Sequence, residues 1–264
     1  MGDSGQLTSS AAEVYDAFFV PALFAEWAPR VVAEARLHPG MRVLDVACGT
    51  GVLTLEAATA IAPTGNAIGV DLNPRMLGVA RRKAPQLEWQ EAPAEALPFQ
   101  ANSFDAVLSQ FGLMFFADKE AAVAEMWRVL RPGARLVIAV WDALDENPGY
   151  LAMTSLLARL FGDSVASLLK APYSLGDPDR IRALLRASGV APPEVRRAQG
   201  EAKFPSIRAW VHADVRGWTL EAMLDDAAVE RLVSEAEREL RRFVSSDGSV
   251  RFAHPALVAS ASKS

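Results

Sequence analysis

A short apolar run that ends in two closely spaced glycines, residues 42–51, constrains the fold of this chain more than any other stretch. Residues 43–46 are mostly β-prone, and Gly49 and Gly51 follow them directly. Residues 52–62 then change to the apolar spacing of a helix. Glycines let a ligand approach the backbone, and the start of the following helix offers free N–H groups. The stretch therefore predicts a strand, a turn and a helix that bind a nucleotide-type cofactor.

The turn matches the dinucleotide fingerprint G-x-G-x-x-G only in part. Gly49 and Gly51 occupy the first two glycine positions, but Thr54 stands at the third, and Asp45 lies inside the first strand. Asp71 ends the next apolar run, where a carboxylate accepts the hydroxyls of a ribose. This pattern disfavours a nicotinamide-dependent oxidoreductase, because the third glycine is missing.

Further motifs follow in order and make the pattern specific. They are GVDLNPRML at residues 69–77, AEALPF at 94–99, SFD at 103–105 and RVLRPG at 128–133. Together with VLDVACGTG at 43–51, they resemble the class I S-adenosylmethionine-dependent methyltransferases. The similar subgroup is type 11, which includes the ubiquinone/menaquinone C-methyltransferases. The resemblance covers residues 40–142 closely and the rest in outline.

The order of elements predicts an α/β fold. Each strand up to residue 141 is separated from the next by a helix, so parallel pairing with right-handed crossovers is expected. The resemblance implies a doubly wound, Rossmann-like sheet of seven mostly parallel strands, the last antiparallel, with N-terminal and inserted lid helices. We expect one domain, 1–264, whose parts are N-terminal lid helices (1–38), a cofactor-binding core (39–143), a helical insertion (144–190), and C-terminal strands and a helix (191–264).

The sequence also makes four predictions about single segments. Pro21 is expected to break the N-terminal helix into two pieces, because proline lacks an N–H group. Residues 195–204 are predicted as the sixth strand and residues 250–260 as the last one. Residues 81–83, Arg-Arg-Lys, are interpreted as a solvated helix end.

The resemblance implies S-adenosyl-L-methionine as cofactor and S-adenosyl-L-homocysteine as product. Asp71 would bind the ribose hydroxyls, while Leu72 and Met76 would line the adenine. Gln110 and Phe111 end the fourth predicted strand, where ligands of open parallel sheets bind, and are expected to face the sulfonium and the methyl acceptor. The predicted cofactor-binding residues are Asp45, Ala47, Gly49, Gly51, Thr54, Asp71, Leu72, Met76, Ala94, Glu95, Gln110 and Phe111.

One position departs from the family's pattern. Pro93 stands where the family usually has Asp or Asn, whose side chain meets the adenine amino group. Adenine recognition is therefore expected to rest on backbone groups near Ala94 and Glu95 or on bridging water. The loss of one hydrogen bond costs only about 1 kcal/mol, so the expected cofactor is unchanged.

Methyl transfer by in-line displacement depends mostly on alignment and desolvation of the acceptor, so it requires no compact catalytic motif. Tyr15 and His212 are the candidate catalytic residues: Tyr15 lies in the predicted lid, and His212 lies in the region where this family builds substrate sites. Asp214 and Arg216 are further acid/base candidates. No His/Cys cluster has the spacing of a metal site, and no metal is expected.

Composition limits the partners. The 27 basic residues are outnumbered by 32 acidic ones, so no bulk positive field attracts nucleic acid. No apolar run approaches the roughly 20 residues of a membrane span, and no signal peptide is apparent. Because Cys48 is the only cysteine, no internal disulfide forms. We expect a cytoplasmic monomer or homodimer acting on a small molecule.

Several functions remain open from sequence. The leading hypothesis is methyl transfer to a small, partly apolar acceptor, such as a quinone-like or secondary-metabolite ring. The alternative is a cofactor-binding homologue without methyl transfer, either a scaffold or an S-adenosylmethionine-dependent cyclase.

Overall fold

A seven-stranded sheet forms the centre of the protein. The structure is a computed structural model that describes residues 9–190, 192–216, 220 and 223–264. Its strands are β1 Arg42–Val46, β2 Asn66–Asp71, β3 Glu88–Glu91, β4 Phe104–Gln110, β5 Leu130–Trp141, β6 Glu194–Ala198, β7 Glu201–Phe204, β8 Val250–Ala253 and β9 Ala256–Ser262. The main sheet has the order β3-β2-β1-β4-β5-β9-β6, and β7 pairs with β8 in a separate two-stranded sheet.

Helices connect and cover these strands. They are α1 Ser9–Val14, α2 Ala28–Ala35, α3 Val52–Ile61, α4 Pro74–Lys83, α5 Lys119–Val129, α6 Pro148–Phe161, α7 Asp163–Lys170, α8 Pro178–Ala187, α9 Ile207–Arg216 and α10 Asp226–Glu239. A π-helix, Tyr15–Phe24, continues directly from α1. No helix among the described residues is long and apolar enough to cross a membrane.

The predicted architecture is confirmed. Strands β1 to β5 pair in parallel, and β9 runs antiparallel to both β5 and β6. The fold is therefore a doubly wound α/β sheet of seven mostly parallel strands with an antiparallel last strand. The carboxyl ends of β1, β2 and β4 lie side by side at one edge, which is where such sheets bind ligands.

Two strand predictions near the C-terminus have the wrong bounds, because each predicted range is divided between two strands. Residues 195–204 form β6 and β7, which belong to different sheets, and residues 250–260 fall in β8 and β9. Gly200 separates the first pair: a Cβ atom there would lie 2.3 Å from Trp27, so the chain turns where only glycine fits. The second pair is separated at His254, whose backbone N–H donates to the Gly200 carbonyl. Strands β7 and β8 therefore lie outside the main sheet and pair with each other.

The prediction that Pro21 breaks the N-terminal helix is also wrong. Pro21 lies inside the π-helix, where the N–H of Ala25 bonds to the carbonyl of Val20, five residues earlier. The wider turn of a π-helix accommodates the proline ring without ending the segment. In the predicted insertion, by contrast, Gly162 with φ +90° separates α6 from α7.

Candidate cofactor and active site

The glycine turn after β1 has the backbone shape that its sequence predicts. Ala47, Gly49 and Gly51 all have positive φ, of 60°, 56° and 90°. A Cβ atom on Gly51 would lie 2.5 Å from the indole of Trp89 on β3, so packing as well as backbone conformation requires glycine there. The glycine turn therefore packs against the buried indole of Trp89.

Asp71 connects the ends of β1 and β2. Its carboxylate accepts hydrogen bonds from the backbone N–H groups of Gly49 and Asn73, both at 2.8 Å. The residue remains partly exposed, and its burial raises its pKa against the lowering effect of these donors. Each oxygen keeps a second lone pair for a ligand hydroxyl.

Asp45 lies in β1, shortly before the glycine turn, and is 1% exposed. The hydroxyl of Thr54, at the start of α3, donates to one carboxylate oxygen at 2.6 Å, while the other oxygen has no partner. Burial raises the pKa of Asp45 to about 7, assisted by the nearby charge of Asp71 and opposed by the Thr54 hydrogen bond. Asp45 therefore changes protonation near neutral pH.

Tyr15, the catalytic candidate in the N-terminal segment, lies over the glycine turn. Its ring and hydroxyl are 3.9 and 4.0 Å from the position a Cβ atom would take on Gly49. It stacks on Phe24 at 5.2 Å and packs beside Met76 of α4. Burial and the charge of Asp71 raise the pKa of Tyr15, so its phenol stays protonated at neutral pH.

Ion pairs tie this N-terminal segment to the end of α4. Lys83 binds Asp16 at 2.6 Å and also donates to the Thr50 carbonyl of the glycine turn, while Arg82 binds Glu13 at 2.8 Å. Arg81 donates to a strand carbonyl at Trp89. Residues 81–83 are exposed at the end of α4, as expected of a solvated helix end, and they also pair with the N-terminal segment and the end of β3.

Gln110 and Phe111 lie at the end of β4, close to the lid. The amide of Gln110 donates to the carbonyl of Phe24 at 3.2 Å, and its own oxygen is buried without a partner. Phe111 has φ +57° and stacks on Trp141, with ring centroids 3.5 Å apart. Gly112 packs so closely on Ala47 that a Cβ there would approach to 2.5 Å.

The structure thus brings together most of the residues predicted for the cofactor site. Asp45, Thr54, Asp71, Met76 and Tyr15 contact the turn or one another as described. Sequence reasoning missed the aromatic partners of this cleft, Phe24, Trp27 and Trp141, since no local pattern distinguishes them from ordinary core residues.

Other predicted residues have different surroundings. The side chain of Leu72 is exposed, and Ala94 is buried. One carboxylate oxygen of Glu95, Oε1, accepts hydrogen bonds from the backbone N–H groups of Ala117 and Asp118. His212 is on α9 and faces α10, where its Nε2 atom lies 4.0 Å from Glu230.

Comparison with known proteins agrees with this geometry. The methyltransferase domain family of type 11 matches residues 44–138. An uncharacterized protein of Mycobacterium tuberculosis is 34% identical over 227 residues, which cover 83% of this chain and 79% of that protein. The demethylmenaquinone methyltransferase of Deinococcus radiodurans is 35% identical over 182 residues, covering 62% of this chain and 73% of that enzyme.

The fold is also found among solved structures. Phosphoethanolamine N-methyltransferase 2 of Haemonchus contortus, solved in complex with S-adenosyl-L-methionine, superposes with a TM-score of 0.63 at 19% identity. The match covers 97% of this chain and 58% of that one. With the glycine turn, the strand order and a methyltransferase relative matched over most of its length, the chain belongs to the class I S-adenosylmethionine-dependent methyltransferases, in the type 11 subgroup.

Proposed function

We propose that this methyltransferase binds S-adenosylmethionine in the cleft between β1, β2 and β4 and methylates a small, partly apolar acceptor. The observation that carries the proposal is the carboxylate of Asp71 held by the N–H of Gly49 at the open end of β1. This arrangement fixes the glycine turn and still leaves lone pairs for two ribose hydroxyls.

The residues of the cleft suit the parts of this cofactor. Asp71 would bind the ribose, Leu72 and Met76 would line the adenine, and the backbone near Ala94 and Glu95 would meet its polar edge. The oxygens of Asp45 and Gln110 that lack protein partners are acceptors for the ammonium group of the methionine part. Ala47, Gly49, Gly51, Thr54 and Phe111 complete the proposed site.

The bound cofactor supplies an electrophilic methyl group, and this chain supplies alignment. Tyr15 and Phe24 form an aromatic cover above the glycine turn, and Phe111 lies 5.7 Å from Phe24. Aromatic faces favour a sulfonium cation and exclude water from the reacting atoms. Because its phenol stays protonated, Tyr15 acts by packing and hydrogen bonding, and His212 remains the second catalytic candidate.

A quinone-like or secondary-metabolite ring is the acceptor class that we propose. The relative from Deinococcus radiodurans is named for demethylmenaquinone, which supports a ring acceptor. In this chain the rings of Phe24, Phe111 and Trp141 lie next to the carboxyl end of β4 and offer an apolar wall. Apolar walls with few polar groups are typical of small-molecule sites.

Calorimetric titration with S-adenosylmethionine, S-adenosylhomocysteine and NADH tests the proposal, followed by a screen of ring acceptors for methylation. We expect binding of both adenosyl compounds and none of NADH. Binding of neither adenosyl compound, or of NADH alone, would contradict the cofactor assignment. Binding without methyl transfer to any acceptor would instead support the scaffold or cyclase alternative.

A further inference from the structure

A second group of polar side chains is buried away from the glycine turn. It consists of Tyr150 on α6, Tyr173 in the turn after α7, Trp210 and Asp214 on α9, and His254 between β8 and β9. All five are at most 8% exposed. They come from four segments spread over residues 150–254, and we call them the Asp214 cluster.

The hydrogen bonds within the Asp214 cluster are incomplete. The hydroxyl of Tyr150 donates to one oxygen of Asp214 at 3.2 Å, and the hydroxyl of Tyr173 meets Nε2 of His254 at 3.0 Å. The other Asp214 oxygen, the indole N–H of Trp210 and Nδ1 of His254 have no partner. A buried polar group without a partner costs about 1–3 kcal/mol, so stability alone does not explain this cluster.

Two of the unpartnered atoms lie side by side. Trp210 and Asp214 are one helical turn apart on α9. The indole N–H is close enough to lower the pKa of both the Asp214 carboxyl and the Tyr150 hydroxyl, although it forms no hydrogen bond of normal geometry. One ligand oxygen between them would therefore satisfy both groups.

Burial favours the neutral forms of the titratable groups in the Asp214 cluster. Burial raises the pKa of Asp214 well above its usual range, and no cation in the described part of the chain pairs with it. Burial also lowers the pKa of His254 to about 3, so the imidazole is neutral. Burial thus favours the protonated form of Asp214, in which the oxygen without a partner carries a hydrogen-bond donor. Such a site suits a neutral oxygen and rejects a phosphate or an ammonium group.

Aromatic rings connect the cluster to the end of β4. Phe111 stacks on Trp141 at 3.5 Å, and Trp141 lies 3.9 Å from the ring of His254, itself 5.2 Å from Tyr150. Trp141 ends β5 and pairs with Ala256, so His254 lies at the sheet edge where the cofactor is proposed to bind. The rings of Phe111 and Trp141, which we propose as a wall of the acceptor site, therefore connect that site to the Asp214 cluster through His254.

We propose that Trp210 and Asp214, supported by Tyr150, bind an oxygen atom of the methyl acceptor, and that this acceptor is a neutral aromatic ring bearing a hydroxyl or carbonyl group. The inference rests on the proposed function and identifies the residues that select the acceptor. Because the cluster is closed to solvent, ligand entry requires α9 to move away from α6.

The test compares two probes that differ in one oxygen, 1-naphthol and naphthalene, bound to the full chain with S-adenosylhomocysteine present. The wild-type protein should prefer 1-naphthol by about tenfold, as two modest hydrogen bonds would supply. Trp210→Phe and Asp214→Leu should reduce that preference to about twofold or less and leave the affinity for naphthalene and S-adenosylhomocysteine unchanged.

Asp214→Asn distinguishes a hydrogen-bond donor from a base. Asparagine keeps an oxygen for Tyr150 and an N–H group for the ligand, so this variant should retain the preference. Trp127→Phe on α5 and Asp179→Leu on α8 are the matched controls, since both residues lie outside the two sites. Thermal melts identify any variant that fails to fold. If Asp214→Leu fails to fold, Trp210→Phe provides the comparison, because it keeps an aromatic ring and removes the N–H group.

The outcomes separate the two proposals. If 1-naphthol and naphthalene bind equally to the wild-type protein, or if Trp210→Phe and Asp214→Leu keep the preference, the acceptor-oxygen site is refuted even though the cofactor binds. Loss of the preference in Asp214→Asn would overturn the donor role. Failure of the wild-type protein to bind S-adenosylhomocysteine would contradict the proposed function itself.

Discussion

Two aspartates, Asp71 beside the glycine turn and Asp214 in the C-terminal cluster, have opposite surroundings. Asp71 is partly exposed and receives two backbone hydrogen bonds from neighbouring loops. Asp214 is 3% exposed, receives one side-chain hydrogen bond, and leaves one oxygen without a partner. Burial raises the pKa of both carboxyls, and it is opposed at Asp71 by backbone N–H groups and at Asp214 by the side chains of Tyr150 and Trp210. One fold thus holds one aspartate by its backbone at a glycine turn and buries another among aromatic side chains.

The largest expected effect concerns Asp45, the deeply buried carboxyl shortly before the glycine turn. Its pKa is about 7 in the folded chain and about 3.9 when unfolded, so the folded state binds more protons between these values. The free energy of unfolding should therefore fall as pH rises from about 4 to 7, by up to roughly 4 kcal/mol. Urea denaturation at several pH values should show a flatter profile for Asp45→Asn than for the wild-type protein. Asp179→Asn is the control and should keep the wild-type profile. If the profile of Asp45→Asn is also parallel to that of the wild-type protein, the titration of Asp45 near pH 7 is contradicted.

Gly51→Ala tests whether the glycine turn depends on tertiary packing. The new Cβ would lie 2.5 Å from Trp89 in a backbone conformation with φ +90°, so we expect a stability loss of about 3 kcal/mol. Gly189→Ala is the control, because φ is +81° there but nothing lies within 4 Å of the added atom. It should lose only about 1 kcal/mol. If Gly51→Ala and Gly189→Ala lose equal stability in thermal or urea unfolding, contact with Trp89 does not explain the effect of Gly51→Ala.

Asp71→Ala tests the aspartate at the glycine turn directly. We expect the affinity for S-adenosylhomocysteine to fall by about tenfold or more, since hydrogen bonds to a charged group contribute about 1.5–3 kcal/mol. Circular dichroism should show an intact fold, and Asp179→Ala should bind the cofactor normally. Unchanged binding of Asp71→Ala in calorimetry would refute the ribose assignment.

The smallest expected effect concerns the ion pair between Asp16 and Lys83, which joins the N-terminal segment to the end of α4 beside the glycine turn. Asp16→Lys should weaken binding of S-adenosylhomocysteine by about threefold at low salt, because partly exposed pairs contribute only about 0.2–1 kcal/mol. The exchanged pair, Asp16→Lys with Lys83→Asp, should recover part of the loss. High salt should remove the difference, since it screens exposed charges. An exchanged pair no better than Asp16→Lys alone would show that pairing does not stabilise the lid.

Local patterns in the sequence were sufficient to predict the glycine turn, the parallel pairing of the first five strands and the position of Asp71 at the end of the second strand. A β-prone run, a glycine turn and a helix are set by neighbouring residues, and alternation of strands and helices leaves few topologies. Position alone placed Gln110 and Phe111 at the end of β4, where both are found. These residues were predictable because their surroundings lie within short segments.

Only the tertiary structure decided how distant segments meet. The sequence by itself determined the alternation of strands and helices and the glycine turn between β1 and α3, and the resemblance to methyltransferases implied the seven-stranded sheet. The sequence did not determine the passage of the π-helix through Pro21, the packing of Trp89 beneath Gly51, or the turn at Gly200 that divides a predicted strand. Nor did it indicate that Asp214 would meet Tyr150. Each of these depends on contacts between residues far apart in the chain, and packing across such distances overrides local preference because burial contributes more free energy than propensity.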